Sequence, residues 1–224
     1  MKGIHKKISF SINSNLFIKD PNSSELGRKI LVIGINLINE IGYEQFTFKK
    51  LAIHIETTEA SIYRYFESKH NFILYLINWY WSMVEYRLMM SVMNIENPNE
   101  KLKRALKVVT TIPNEKDVLF FPEEFLLKRI VVNESAKIYF TKKVDFENSL
   151  GAFNVYKSIV AHISELINQV NPDYPYANML VTTLIETSNQ QRFFAEHLPR
   201  LTTKSEEMDA IEQFTLDLID RLFQ

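Results

Sequence analysis

Apolar residues recur at helical spacing along nearly the whole chain, and no two alternating runs stand close enough to pair as strands. Ile30, Ile33, Gly34, Leu37, Ile38 and Ile41 share one stripe of a helix that Ser23 or Ser24 can cap and Gly42 can end. Two short helical segments follow. Thr47 can cap the first, with Leu51, Ala52 and Ile55 on one face, and Thr58 can cap the second, with Ile62 and Phe66 four apart and inward. That assignment leaves Ser61, Tyr63, Arg64 and Tyr65 mostly toward solvent. A helix of barely two turns is not stable alone in water, so the second must lean on its neighbours.

From Ser68 to about residue 96 the apolar positions run almost all round a long helix, the pattern of an element buried on several sides. Asn97 and Pro98 break it, and a further helix spans about 100–112. Residues 117–132 read as helical with a kink or restart at Pro122, and 134–146 are ambiguous. Phe146, Leu150, Phe153, Ile159, Ile163, Leu166 and Ile167 predict one long amphipathic helix over 145–170. Two more follow over 176–198 and 205–223. The fold class expected is therefore all-α, with eight to ten helices. Ahead of all of them, residues 1–22 alternate weakly at Ile8, Phe10 and Ile12 without a partner strand. They read as a loosely ordered tail or as a flexible basic arm reaching DNA.

Composition removes several chemistries. With no cysteine, thiolate nucleophiles, disulfides and cysteine-ligated zinc are excluded. The five glycines lie too far apart to draw a GxGxxG turn, a phosphate-cradling loop or a nucleophile elbow. His162 with Glu165 and Glu196 with His197 are ordinary helix-surface pairs rather than a metal site, and no cofactor is expected. The longest stretch without charge or histidine, 71–84, is 14 residues, short of the roughly 20 needed to cross a bilayer. Lys2, Lys6 and Lys7 before ISFSINSNLFI faintly imitate a secretory signal. Serine and asparagine dilute that segment and no small-residue cleavage site follows, so a cytoplasmic location is expected. The formal charge of −1 divides unevenly. Residues 1–75 carry ten basic against seven acidic side chains, a net +3, which leaves −4 for the remainder. That asymmetry suits an N-terminus facing nucleic acid and an acidic body.

Residues 24–70 resemble the TetR family of bacterial transcriptional regulators. The carriers are Ile41-Gly42-Tyr43-Glu44 at the end of the first helix and Thr47-Phe48-Lys49-Lys50-Leu51-Ala52 opening the second. Ser61-Ile62-Tyr63-Arg64-Tyr65-Phe66 with Ser68-Lys69 completes them. The resemblance implies an N-terminal three-helix helix-turn-helix domain (23–70), joined by a long fourth helix to a C-terminal effector-binding and dimerisation domain (71–224). By the same resemblance Thr47, Lys49, Thr58, Ala60, Ser61, Tyr63, Tyr65 and Lys69 fall where DNA is met. Glu59 and Arg64 complete the candidate set. Hydroxyls and lysines suit phosphates, and the leading end of the recognition helix suits base edges. Three residues depart from the pattern, one of them Tyr65 in place of the more usual histidine. Glu56 stands where a glycine is usual in the turn, and Glu59 stands where a basic residue is common, although a carboxylate can accept from cytosine N4.

The implied partners are a double-stranded DNA operator, an unknown small-molecule effector and a second copy of the chain joined through the last two helices. No membrane partner is expected. Trp79, Met83, Tyr86, Arg129 and Asn154 are candidate effector-pocket residues, and the aromatic ones serve equally as core. The function expected is a ligand-responsive repressor acting as a homodimer on a palindromic operator. The rival is an all-α small-molecule or protein-binding module that has lost DNA binding. An enzyme is not expected, since no nucleophile motif or carboxylate–histidine cluster is present.

Overall fold

A computed structural model of the chain describes residues 10–112, 123–205 and 208–223. Among them lie ten α-helices and no strand. These are α1 (Glu25–Gln45), α2 (Phe48–His54), α3 (Glu59–Tyr63), α4 (Lys69–Val92), α5 (Pro98–Thr110), α6 (Glu124–Tyr139), α7 (Val144–Ser149), α8 (Asn154–Val170), α9 (Ala177–His197) and α10 (Ala210–Leu222). The chain is all-α, as the spacing of its apolar residues requires. None of the described helices is long and apolar enough to cross a membrane.

Contacts divide the chain into two compact units, Met1–Met83 with Pro113–Ala152, and Val84–Ile112 with Phe153–Gln224. The division falls inside α4, and α6 and α7 join the first unit. Polar contacts explain their placement. Asn39 on α1 donates to Leu126 O on α6 (3.1 Å), and Asn78 on α4 donates to Ala152 O (2.8 Å). His70 on α4 meets the Glu147 carboxylate of α7 at 2.7 Å.

In the first unit, the Ser24 hydroxyl caps α1 by accepting from Gly27 N–H, and Ile30, Leu31, Ile35, Leu37 and Ile38 are buried along one stripe. Gly34 lets Phe72 press against α1, for a Cβ built there would lie 2.5 Å from the Phe72 ring. Gly42 takes φ 77°, and the helix breaks at that point. Phe46, Phe48, Phe66 and Phe72 form the centre, with ring centroids 5.0–6.2 Å apart. Just past the Gly42 break, Tyr43 N–H donates to the buried Glu134 carboxylate of α6 (3.1 Å). Lys137 bridges Glu134 at 2.9 Å and Glu44 at 3.4 Å.

In the second unit α5, α8, α9 and α10 pack together over Leu102, Leu106, Val109, Ile159, Ile163, Ile167, Val181, Leu184, Ile185, Ile211 and Ile219. Arg192 of α9 is nearly buried and donates to Thr110 O (3.1 and 2.6 Å) and to Asp209 (2.7 Å). Asp209 in turn caps α10 through Ile211 N–H and Glu212 N–H, so the last helix starts there rather than near residue 205.

Three expectations change. The helix expected over 145–170 is two helices, α7 and α8, separated at Gly151, whose φ of 80° no regular helix accepts. The ambiguous 134–146 stretch is the end of α6, a turn and the start of α7. The tail expected to be loose is packed from residue 13 onward. Leu16 and Pro21 are buried, Asn13 and Asn15 both donate to Leu150 O (2.8 and 3.0 Å), and Phe17 lies edge-on to Tyr75. Polar side chains find partners there that a reading for periodicity does not register. Residues 1–9 and the kink expected at Pro122 lie outside the described residues.

Candidate nucleic-acid interface

Helix α2 begins at Thr47, whose hydroxyl accepts from Lys50 N–H (3.2 Å). Phe48, Leu51 and Ala52 face inward, and Lys49 and Lys50 are exposed. The turn after α2 is a Schellman-type cap. Thr57 N–H returns to Ala52 O (2.9 Å), and Glu56 occupies the left-handed position at φ 55°. Glycine is favoured at that position because a Cβ there crowds the backbone.

Helix α3 is only five residues long, and Thr58 caps it through Ser61 N–H at 3.3 Å. Ile62 is fully buried beneath it, and Tyr63, 46% exposed, lies edge-on to Phe48 at 5.1 Å. Thr58, Ala60, Tyr63 and Arg64 are exposed, and Glu59 and Ser61 half-buried. The leading end of α3 is therefore held from below by α2 and Phe66 and left uncovered. Its charge is mixed. Partial burial and then the Glu59 carboxylate one turn back push the pKa of the Tyr63 hydroxyl above its ordinary range.

Two candidates sit elsewhere. Tyr65 is 4% exposed, not turned to solvent. Because α3 ends at Tyr63, residue 65 swings inward, and its hydroxyl pairs with Ser24 Oγ at 2.7 Å. That hydrogen bond lowers its pKa against the opposing effect of burial, and Lys19 and Arg64 add to the lowering. Lys69 is likewise engaged. Its ammonium donates to Tyr43 O, Glu44 O and Phe46 O (3.2–3.3 Å) and lies 4.7 Å over the Tyr43 ring. The carbonyls left open at the end of α1 explain that position, so Lys69 closes a helix terminus before it is available to a phosphate. Thr47, Lys49, Thr58, Glu59, Ala60, Ser61, Tyr63 and Arg64 remain accessible or half-buried along the run 47–64. The run's neighbour Lys19, 5.1 Å over the Tyr65 ring, is not visible to a sequence reading, because a lone lysine in an irregular segment carries no pattern.

The effector candidates differ in exposure. Met83 is fully buried, Trp79, Tyr86 and Arg129 are half-buried, and Asn154 is exposed in the first turn of α8. A cleft of about 420 Å³ lies on the second unit beside Arg192, Lys204, Met208, Asp209 and Ile211. No group of three or more metal-ligating side chains occurs among the described residues.

Residues 30–76 match the family model for the N-terminal part of bacterial regulatory proteins of the tetR family. No curated protein sequence matches. Among solved structures the chain is similar to AibR in complex with isovaleryl coenzyme A and operator DNA. Identity is 17%, the TM-score is 0.56, and 88% of this chain and 97% of that one are covered. It is also similar to the TetR family transcriptional regulator PfmR from Thermus thermophilus, at 13% identity and TM-score 0.55 over 87% and 96%. A third is the ketosteroid transcriptional regulator KstR2 of Mycobacterium tuberculosis, at 13% identity and TM-score 0.54 over 88% and 93%. These likenesses extend the fold over both units, and residues 30–76 are the part of the chain that resembles the TetR family of bacterial regulatory proteins.

Proposed function

We propose that the protein is a DNA-binding transcriptional regulator, a ligand-responsive repressor that acts as a homodimer on a palindromic operator. The observation that carries this reading is the uncovered leading end of α3, with Thr58, Ala60, Ser61 and Tyr63 on a helix otherwise seated on Ile62 and Phe66. Seated in a major groove, that end brings Tyr63 and Glu59 to base edges. Thr47, Lys49 and Arg64 then fall to the flanking phosphates and set register.

Dimerisation through α9 and α10 is supported by apolar side chains left outward. On α10, Phe214, Leu218 and Leu222 are exposed at four-residue spacing, while Ile211, Thr215 and Ile219 form the inward stripe; Met179 on α9 is exposed as well. A two-fold pair would set its recognition helices about 34 Å apart, one turn of B-DNA. AibR, similar in fold, is known with isovaleryl coenzyme A and operator DNA together, which favours a small-molecule effector here. Such an effector must bind the DNA-incompetent state more tightly, for example by tilting α4, or it shifts nothing.

The test is selection of bound duplexes from a random pool, followed by a salt titration of the winners. A palindromic consensus is expected, with affinity falling steeply with salt and lost on Tyr63→Ala. Failure to retain any duplex at low salt would leave the rival, a binding module of the same fold without a DNA role.

A further inference from the structure

The segment before α1 lies outside residues 30–76, yet it is built onto the recognition helix. Ile18 N–H donates to Tyr65 O at 2.8 Å, so the chain at residue 18 is fixed to the residue that follows α3 by two positions. On either side of that bond the segment is anchored again. Leu16 is buried, Phe17 lies edge-on to Tyr75, Asn22 donates to the Tyr75 hydroxyl (3.1 Å), and Arg28 donates to Asn22 O (2.8 Å). Asn13 and Asn15 hold the far end on Leu150 O. Lys19 is thus an exposed lysine on a backbone that cannot drift. Its ammonium lies 5.1 Å over the Tyr65 ring, and Arg64, the residue before Tyr65, is exposed. The carboxylate of the neighbouring Asp20 turns back and accepts from Asn22 N–H (2.8 Å).

We propose that Lys19 is a phosphate-contacting residue of the DNA interface, carried to the end of the recognition helix by the packed segment 13–23. The proposal rests on the regulator reading and adds to it a cation from outside the helix-turn-helix. A flexible arm would lose conformational entropy on reaching a phosphate. Here the loss is already met by folding, so the contact costs little more than ordering the lysine side chain. Lysine acts there as a point charge, adding affinity and salt dependence without base preference.

The full-length protein is titrated with a duplex selected from the random pool and with an unrelated duplex, at several salt concentrations. Because the homodimer loses two such contacts, Lys19→Gln is expected to make the plot of log K against log salt shallower by about 1.8, and to weaken both duplexes by about sixtyfold near 0.1 M salt. Lys157→Gln, an exposed lysine on α8 in the other unit, is expected to leave the slope unchanged. Ile18→Pro removes the N–H that Tyr65 O accepts. The preceding Phe17 is already extended (φ −146°, ψ 156°) as a pre-proline residue must be. This variant keeps the lysine and is expected to lose the same slope. Unfolding midpoints of all three variants are measured alongside. A Lys19→Gln protein with the parental midpoint and the parental slope overturns the proposal, as does an equal loss of slope in Lys157→Gln, which would mean a general charge effect. If the parent retains no duplex at low salt, the regulator reading itself fails and Lys19 falls with it.

Discussion

At Glu56 the backbone turns left-handed in the middle of the helix-turn-helix, and a side chain with a Cβ stands where the Schellman-type cap asks for none. Relief of that crowding is worth roughly 1–2 kcal/mol, against roughly 0.5–1 kcal/mol of added unfolded-state entropy for glycine. Glu56→Gly is therefore expected to stabilise the first unit by up to about 1 kcal/mol, read as a higher denaturant midpoint. Gly34→Ala tests the opposite balance. Alanine gains about 1 kcal/mol of helix propensity, but its Cβ would meet the Phe72 ring at 2.5 Å, and that ring is locked among Phe46, Phe48 and Phe66. Overpacking costs typically 1–3 kcal/mol, so a net loss of stability is expected. Tyr75 gives a pH signature. Burial first, and then the Asp20 carboxylate, raise the pKa of its phenol above the ordinary value of 10.0. The folded state thus favours the protonated form, and the associated stability is present below pH 10 and lost as pH rises beyond it. In chemical denaturation between pH 8 and 11, Tyr75→Phe should decline less steeply than the parent.

Helix ends show how much is legible in the chain alone. Thr47, Thr58 and Ser24 cap the helices the sequence assigns them, because a hydroxyl accepting from a nearby N–H is local chemistry. The break at Gly151 is hidden for an equally plain reason. Phe146, Leu150 and Phe153 keep helical spacing through it, and periodicity does not report a single positive φ; Phe146, inward by that spacing, is two-thirds exposed. Reading Tyr65 toward solvent extends a helical face beyond the point where α3 stops, and Lys69 joins the candidates by the family resemblance alone. Their true partners, Ser24 and the carbonyls closing α1, are more than twenty residues away in sequence. Lys69→Met should accordingly act first on folding. Hydrogen bonds from a charged donor are worth about 1.5–3 kcal/mol when buried; for this half-buried ammonium about 1 kcal/mol is expected, seen as a lower midpoint before any change in DNA affinity.

For the whole molecule, the proposed dimer puts a testable demand on α10. Its outward Phe214, Leu218 and Leu222 have no counterpart requirement in a monomer, where the inward stripe already supplies the packing. Leu218→Glu should shift sedimentation toward a monomer while leaving helix content unchanged, because a carboxylate there meets water in one protomer and an apolar face in two. Operator affinity should fall with it, since two half-sites held together bind far better than one. The all-α class is readable from spacing alone. The assignment of α6 and α7 to the first unit is not, for it depends on side-chain hydrogen bonds such as Asn39 to Leu126 O and His70 to Glu147.

The closeness of Pro21 to α1 has a practical side. A Cβ on Gly27 would lie 2.1 Å from Pro21 O, so the lead-in and the first turn of α1 are fitted together without clearance. Trimming the protein to begin at residue 24 or 30, as the boundaries of the matched segment would suggest, would bare Tyr75 and remove Leu16 and Pro21 themselves, uncovering the surface they are buried against. Such a shortened polypeptide should yield poorly and clump on purification, whereas an affinity tag placed ahead of residue 10 leaves that fitted seam intact.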